Sequence, residues 1–351
     1  MNTLPAKPDN FRMATTLCLT ILLAACCAVA APPTMRFDAQ GKFKIVQFTD
    51  THWDSAQEKA AETLDVIDTV LDAEKPDLVV LTGDIVTPER DPLADWRRLT
   101  ARISGRKIPW AAVLGNHDDE KHGTSRREIV KYVATLPGSL TQEGPESLGG
   151  TGNYVVTIAH NDSDAPACVL YFLDSRAYPR VEAIRQCKEI PRHNHYDWIS
   201  LDQITWYRET SRALRAARDG TPMPALAFFH IPLHEYSHPA LRRSLIGTRE
   251  EEEAYGALNS GMFAAMFEEG DVMGVAVGHD HDNDYAGTLL GICLAYGRVS
   301  GLAGYGKLPR GARVIELREG KREFDSWIQT VEGDVVYRFR YPSSFVGQSA
   351  K

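Results

Sequence analysis

The sequence predicts an α/β domain built on a largely parallel sheet. Apolar runs alternate with helical stretches through the first third of the chain. Each run ends in a short polar loop. Those loops carry Asp, Asn and His where α/β folds collect their ligands, outside the carboxyl ends of strands.

Phe43 to Phe48 reads as a buried strand that ends in Thr49-Asp50-Thr51-His52. Lys59 to Glu74 places Leu64, Ile67, Val70 and Leu71 at helical spacing, and Pro76 stops it. A second apolar strand, Asp77 to Leu81, leads into Thr82-Gly83-Asp84. Leu93 to Ile103 is helical again, and Pro109 to Leu114 is a third strand ending in Gly115-Asn116-His117-Asp118. Gly138 to Gly152 is a Gly/Ser/Thr-rich surface loop. Tyr154 to Ala159 and Cys168 to Leu173 look like paired strands, and Arg176 to Asp197 is a long connection of little pattern. Asp202 to Arg218 reads as a helix and Ala225 to Phe229 as a strand before His230. Asn259 to Phe267 reads as a helix, and Val272 to Val277 as a strand before Gly278-His279-Asp280-His281. From Tyr285 to Tyr341 the pattern alternates and turns, which predicts antiparallel strands such as Arg313 to Leu317 and Val335 to Tyr341. No internal repeat or linker divides residues 31–351, so one domain is expected there.

Composition narrows the classes of partner. The 351 residues carry a formal net charge of −8, which argues against a nucleic-acid coat or a polybasic membrane binder. An acidic chain still binds phosphate where metal ions make the local field positive. Residues 1–30 read as an export signal: Lys7 and Arg12 precede an apolar run, and Ala28-Val29-Ala30 fits an A-x-A cleavage site. Leu23-Ala24-Ala25-Cys26 offers the alternative of a lipoprotein signal with a lipid on Cys26. The expected location is therefore secreted, periplasmic or lipid-anchored in the envelope. Cys168, Cys187 and Cys293 remain after the leader, without C-x-x-C spacing. At most one pair of them could be bridged. Cys168 and Cys293 sit in apolar runs and read as buried thiols.

Five short motifs stand out in order: Asp50-x-His52, Gly83-Asp84, Gly115-Asn116-His117-Asp118, His230 and Gly278-His279-Asp280-His281. Each alone recurs by chance. Together, over residues 44–283, they resemble the calcineurin-like metallophosphoesterases. The resemblance implies a four-layer αββα sandwich with two central mixed sheets. It also implies two metal ions drawn from Fe, Mn or Zn. By that likeness Asp50, His52 and His281 complete one metal site with Asp84, while Asn116, His230 and His279 complete the other with the same Asp84. Cations held about 3.5–4 Å apart need an anionic bridge, and Asp84 supplies one. The implied reaction is hydrolysis of a phosphate monoester, in which hydroxide generated at the metals attacks phosphorus in line. His117 is implied to face the phosphate, and Asp118 to orient or charge that imidazole. Asn283 and Asp284 are expected only to support the ligands.

A narrower resemblance rests on Gly83-Asp84-Ile85-Val86, Asp197-Trp198-Ile199, Phe229-His230-Ile231-Pro232-Leu233 and the stretch Gly278 to Asp284. These look like the small purple-acid-phosphatase-like branch. Purple acid phosphatases place a Tyr three residues after the bridging Asp, where this chain has Thr87, so no tyrosinate charge-transfer band is expected.

Two other functions fit the same motifs: a phosphodiesterase acting on nucleotides or lipid head groups, and a non-catalytic protein on the same scaffold. Elsewhere, structural readings come first. His234, Glu235, Tyr236 and His238 are expected as exposed loop residues. His193, His195 and Tyr196 are read as loop residues ahead of substrate contacts. Glu250 to Glu253 is expected to be a solvated helix start. Trp198, Trp206 and Tyr207 are read as core, and His122 and His160 as surface.

Overall fold

A computed structural model describes residues 35–346. The leader and its alternatives at Ala30 and Cys26 lie outside these residues. The strands are β1 (Lys42–Phe48), β2 (Leu78–Thr82), β3 (Trp110–Val113), β4 (Tyr154–Ala159), β5 (Pro166–Phe172), β6 (Ala225–Phe228), β7 (Val272–Val277), β8 (Ala286–Leu289), β9 (Ile292–Tyr296), β10 (Gly311–Arg318), β11 (Phe324–Thr330) and β12 (Val335–Tyr341). The helices are α1 (Ala60–Glu74), α2 (Pro92–Ser104), α3 (Arg126–Val133), α4 (Glu182–Arg185), α5 (Leu201–Ala216) and α6 (Met262–Glu269).

The strands form two mixed six-stranded sheets, ordered β12-β11-β10-β1-β2-β3 and β4-β5-β6-β7-β9-β8. Period-2 alternation explains why they stack. Phe43 and Ile45 of β1 face the second sheet and meet Phe172, Leu226 and Phe228 there. Val46 and Phe48 of the same strand face the other way, into the side chains of α1, α2 and α3. The second sheet turns Val169, Tyr171 and Ala227 outward against α5 and α6. The layers are therefore helix, sheet, sheet, helix, as the family resemblance implies.

Local signals account for the helix ends. Asp91 caps α2 by accepting from the Leu93 amide, with Pro92 in the first turn. Ser200 and Gln203 form a capping box on α5. The same box, Ser125 with Glu128, opens α3, a helix not foreseen although its S-x-x-E signature stands in the sequence.

Two further expectations are corrected. The C-terminal stretch is not wholly antiparallel: β9 pairs antiparallel with β8 but parallel with β7, through Gly274↔Cys293 to Val277↔Tyr296. Glu250 to Glu253 starts no helix. Glu253 is buried, its carboxylate held by Arg249 and by the hydroxyl of Tyr285, while Glu251 turns toward the cleft described below. The last strands return to the centre of the first sheet, where β10 lies antiparallel beside β1. Cys168 and Cys293 are buried free thiols and Cys187 is free and half-buried.

Candidate metal centre

Three of the predicted loops leave the carboxyl ends of neighbouring parallel strands, β1, β2 and β3, and two leave β6 and β7 of the facing sheet. The sheets thus bring their loops together along one edge. Asp50, His52, Asp84 and His279 all adopt the left-handed backbone region, with φ of 52°, 42°, 50° and 83°. Such residues cost about 1–3 kcal/mol each and persist only where the surroundings hold them. Here the loops brace one another: the Asp50 amide donates to Gly83 O at 3.1 Å, and the His52 amide to Asp84 O at 2.9 Å. The His279 amide donates to both carboxylate oxygens of Asp50, at 3.2 and 3.0 Å.

The motif glycines follow from crowding. A Cβ on Gly115 would lie 2.2 Å from Asp84 Oδ1, and one on Gly278 would lie 1.9 Å from Thr49 Oγ1. No side chain fits at either place without displacing a predicted ligand or the loop that carries it.

The predicted ligands converge as two candidate metal-binding triads, Asp50-His52-His281 and Asp84-His230-His279, with ligand atoms within 4.8 Å of one another in each. Nε2 of His281 lies 3.3 Å from Asp50 Oδ1 and 3.2 Å from His52 Nε2. Nδ1 of His279 lies 3.3 Å from His230 Nε2. Oδ2 of Asp84 stands between the triads, 3.1 Å from His230 Nε2 and 3.8 Å from His52 Nε2. Its Oδ1 accepts the His117 amide at 2.7 Å.

The donor chemistry fits a pair of cations. Nδ1 of His230 donates to Thr82 O at 2.8 Å and Nδ1 of His281 to Tyr305 O at 2.9 Å, which directs each Nε2 at a carboxylate, the atom that a cation would take in place of a proton. Oδ1 of Asn116 is buried without a hydrogen-bond partner, an acceptor held ready for a positive group. Charge tells the same story. Burial would raise the pKa of Asp50, but His281 outweighs it and draws it down to about 2. Burial opposes a proton on His230, yet Asp84 lifts its pKa to about 9. His52 and His279, where burial dominates, fall to about 4 and about 3. The buried carboxylates thus demand positive charge, and the imidazoles meet that demand unequally.

His117 lies over the centre, its ring 5.4 Å from that of His52, and is about one-third exposed. Its expected partner is corrected. Asp118 is wholly buried and gives both oxygens to backbone: it accepts from the amides of Asp84 and Gly115 at 2.8 and 2.7 Å, and from Ile85 and Val86 at 3.0 Å each. It ties two ligand loops together and has no oxygen to offer a ring. The partner of the His117 ring is Glu120, whose Oε2 lies 2.5 Å from Nδ1.

An open cleft of about 350 Å³ rises above the triads, lined by His52, His117, Tyr196, Glu251, His281 and Tyr305 among others. His193 and Tyr196 reach it from the long connection, whereas His195 bonds back to Ile190 O within its own loop. His234 bonds to Gly256 O and His238 to the Ala240 amide, and neither lines the cleft. Tyr236, expected as an exposed loop residue, is fully buried against Tyr296. Asn283 and Asp284, expected to support the ligands, bond to other residues instead: Asn283 Oδ1 accepts from the amides of Glu250 and Glu251, and Asp284 pairs with buried Arg298.

Glu120, Tyr178, Glu251 and Tyr305 escaped the sequence reading. Tyr305 stacks flat on His281, with centroids 4.0 Å apart, and its hydroxyl donates to Glu251 at 2.9 Å. The signal for it was the run Gly301-Leu302-Ala303-Gly304-Tyr305-Gly306: a Cβ on Gly304 would lie 2.6 Å from the His281 ring, so this loop must approach the site closely.

Comparison with known proteins points the same way. A family model described as calcineurin-like phosphoesterase matches residues 43–283. "Probable inactive purple acid phosphatase 29" of Arabidopsis thaliana is 34% identical over 343 residues, covering 87% of this chain and 85% of that protein. "Phosphatase DCR2" of Saccharomyces cerevisiae is 33% identical over 344 residues, covering 88% of this chain and 57% of its own length. Among solved structures, a dimetal phosphatase from Danio rerio superposes with a TM-score of 0.56 at 14% identity, over 85% of this chain and 98% of that one, a likeness of fold.

Proposed function

The chain belongs to the calcineurin-like phosphoesterase family, and from that premise we propose that it is an active phosphatase that hydrolyses phosphate monoesters with two metal ions. One observation carries the proposal: six donor groups from four separate loops form two triads that meet at Asp84 Oδ2, and Asn116 on a fifth loop adds an unpartnered buried oxygen. Several relatives are named inactive, among them the Arabidopsis protein. Retention of all seven ligands and of His117 supports catalysis here.

In this reading Asp50, His52, His281 and Asp84 would hold one ion, and Asn116, His230, His279 and Asp84 would hold the other. Bound there, the ions supply Lewis-acid polarisation of a phosphoryl oxygen and lower the pKa of water. The protein does the rest. The backbone bracing at Asp50 and Asp84 fixes the ligands before substrate arrives, which avoids reorganisation during the reaction. His117 faces the phosphate from the open side, holds a non-bridging oxygen and returns a proton to the leaving alcohol from Nε2, with Nδ1 anchored on Glu120. Tyr196 and Tyr305 flank the path that the leaving group takes.

The test is a parallel assay of p-nitrophenyl phosphate and its bis ester with protein whose metal content has been measured. Two ions per chain and faster monoester cleavage are expected. Faster diester cleavage would replace this reading with phosphodiesterase activity, and metal-loaded protein that cleaves neither would leave a non-catalytic role. The proposal extends to location outside the cytoplasm, with a lipid on Cys26 as the alternative to cleavage after Ala30. Mass spectrometry of the mature N-terminus decides between them.

A further inference from the structure

An asparagine binds a cation only through its carbonyl oxygen, so the Asn116 amide must be held one way round. A half-turn about its last bond would present the NH2 group instead. Oδ1 has no partner, so the selection falls to Nδ2, which donates to the Tyr178 hydroxyl at 3.2 Å. That hydroxyl has a single proton. As the acceptor from Nδ2 it presents a lone pair to Asn116 and turns its proton elsewhere. Only a lone pair is left to face Asn116, and a lone pair tolerates NH2 but repels the carbonyl oxygen.

The Tyr178 ring stacks on Tyr196 with centroids 5.6 Å apart, and Tyr196 stands edge-on to His279 at 4.4 Å. Tyr178 therefore bonds to the predicted ligand Asn116 through its hydroxyl and packs by its ring on Tyr196 beside His279, all from one position of the long connection.

Building on the dinuclear reading above, we propose that Tyr178 is a positioning residue. Its hydroxyl sets the amide of Asn116 with Oδ1 toward the second cation. Tyr178 touches neither substrate nor ion in this role. It acts on the ion through Asn116.

Tyr178→Phe keeps the ring on Tyr196 and removes only the hydroxyl. Calorimetric titration of chelator-stripped protein with Zn²⁺ or Mn²⁺ is expected to show two binding events. The event that depends on Asn116 should lose about tenfold in affinity, in line with the removal of a group that orients a ligand, and the other should keep its value. Asn116→Asp removes the choice of orientation, because the two oxygens of a carboxylate are alike. In that background Tyr178→Phe should change affinity by less than about twofold, the non-additivity of two coupled side chains. An equal loss in both backgrounds overturns the proposal, as does undiminished metal affinity in Tyr178→Phe alone. Wild-type protein that takes up no metal sinks the dinuclear reading itself, and this inference with it.

Discussion

Beneath the cleft, its floor, lie seven candidate ligand side chains at strand ends, six of them no more than 8% exposed, on loops braced by each other's backbones. Its wall includes Tyr196, Glu251 and Tyr305 on irregular connections, with Tyr305 54% exposed and Tyr178, 41% exposed, stacked on Tyr196. The floor has no slack: Gly115 and Gly278 have no room for a methyl group. The wall is held by side-chain contacts at its surface. Under the proposed function, chemistry would belong to the rigid part and choice of substrate to the adaptable part, the usual division between scaffold and loops.

The contrast is open to attack first at its strongest point. Asp84→Ala removes the oxygen shared by both triads and is expected to abolish metal uptake and turnover together, read by elemental analysis beside a p-nitrophenyl phosphate assay. His117→Ala should keep both metals and slow turnover by about 10²–10⁴-fold. Metal loss in that variant would move His117 into the floor. Gly115→Ala forces a Cβ onto Asp84 and should destabilise the fold by about 1–3 kcal/mol, measured by urea denaturation, with metal affinity falling alongside. Tyr305→Leu, a change in the wall, should alter KM between substrates by a few-fold, on the order of 1 kcal/mol, and leave the denaturation midpoint in place. A large loss of stability would show that the wall is structural after all. The smallest effect is a null one: with Thr87 three residues after Asp84, iron-loaded protein should show no tyrosinate band in its visible spectrum.

Legibility in the sequence follows the same division. The strand before each ligand was readable because its apolar residues are consecutive, and the observed β1, β2, β3, β6 and β7 lie within a residue or two of the predicted runs. The ligands were readable because each follows such a run at once. Where a partner lies nearby but off the motif, the reading failed. Asp118 adjoins His117 in sequence, yet its carboxylate turns inward to four amides while Glu120 reaches the ring. The acidic run at Glu250 to Glu253 looked uniform, but Glu253 pairs with Arg249 in the interior and Glu251 meets Tyr305 at the cleft. Four like residues give no sign of which one is buried, because that depends on what packs against them.

By itself, the amino-acid order determined the α/β character, the loops at strand ends and the identity of the groups that meet there, since periodicity and motif are properties of short segments. Only the tertiary structure decided which carboxylate holds His117, which way Asn116 turns and which tyrosines face the cleft. Those outcomes depend on contacts such as Tyr178 with Asn116 and Glu251 with Tyr305, 62 and 54 residues apart. Such pairs carry no local energetic signature until the chain has folded and brought them within reach.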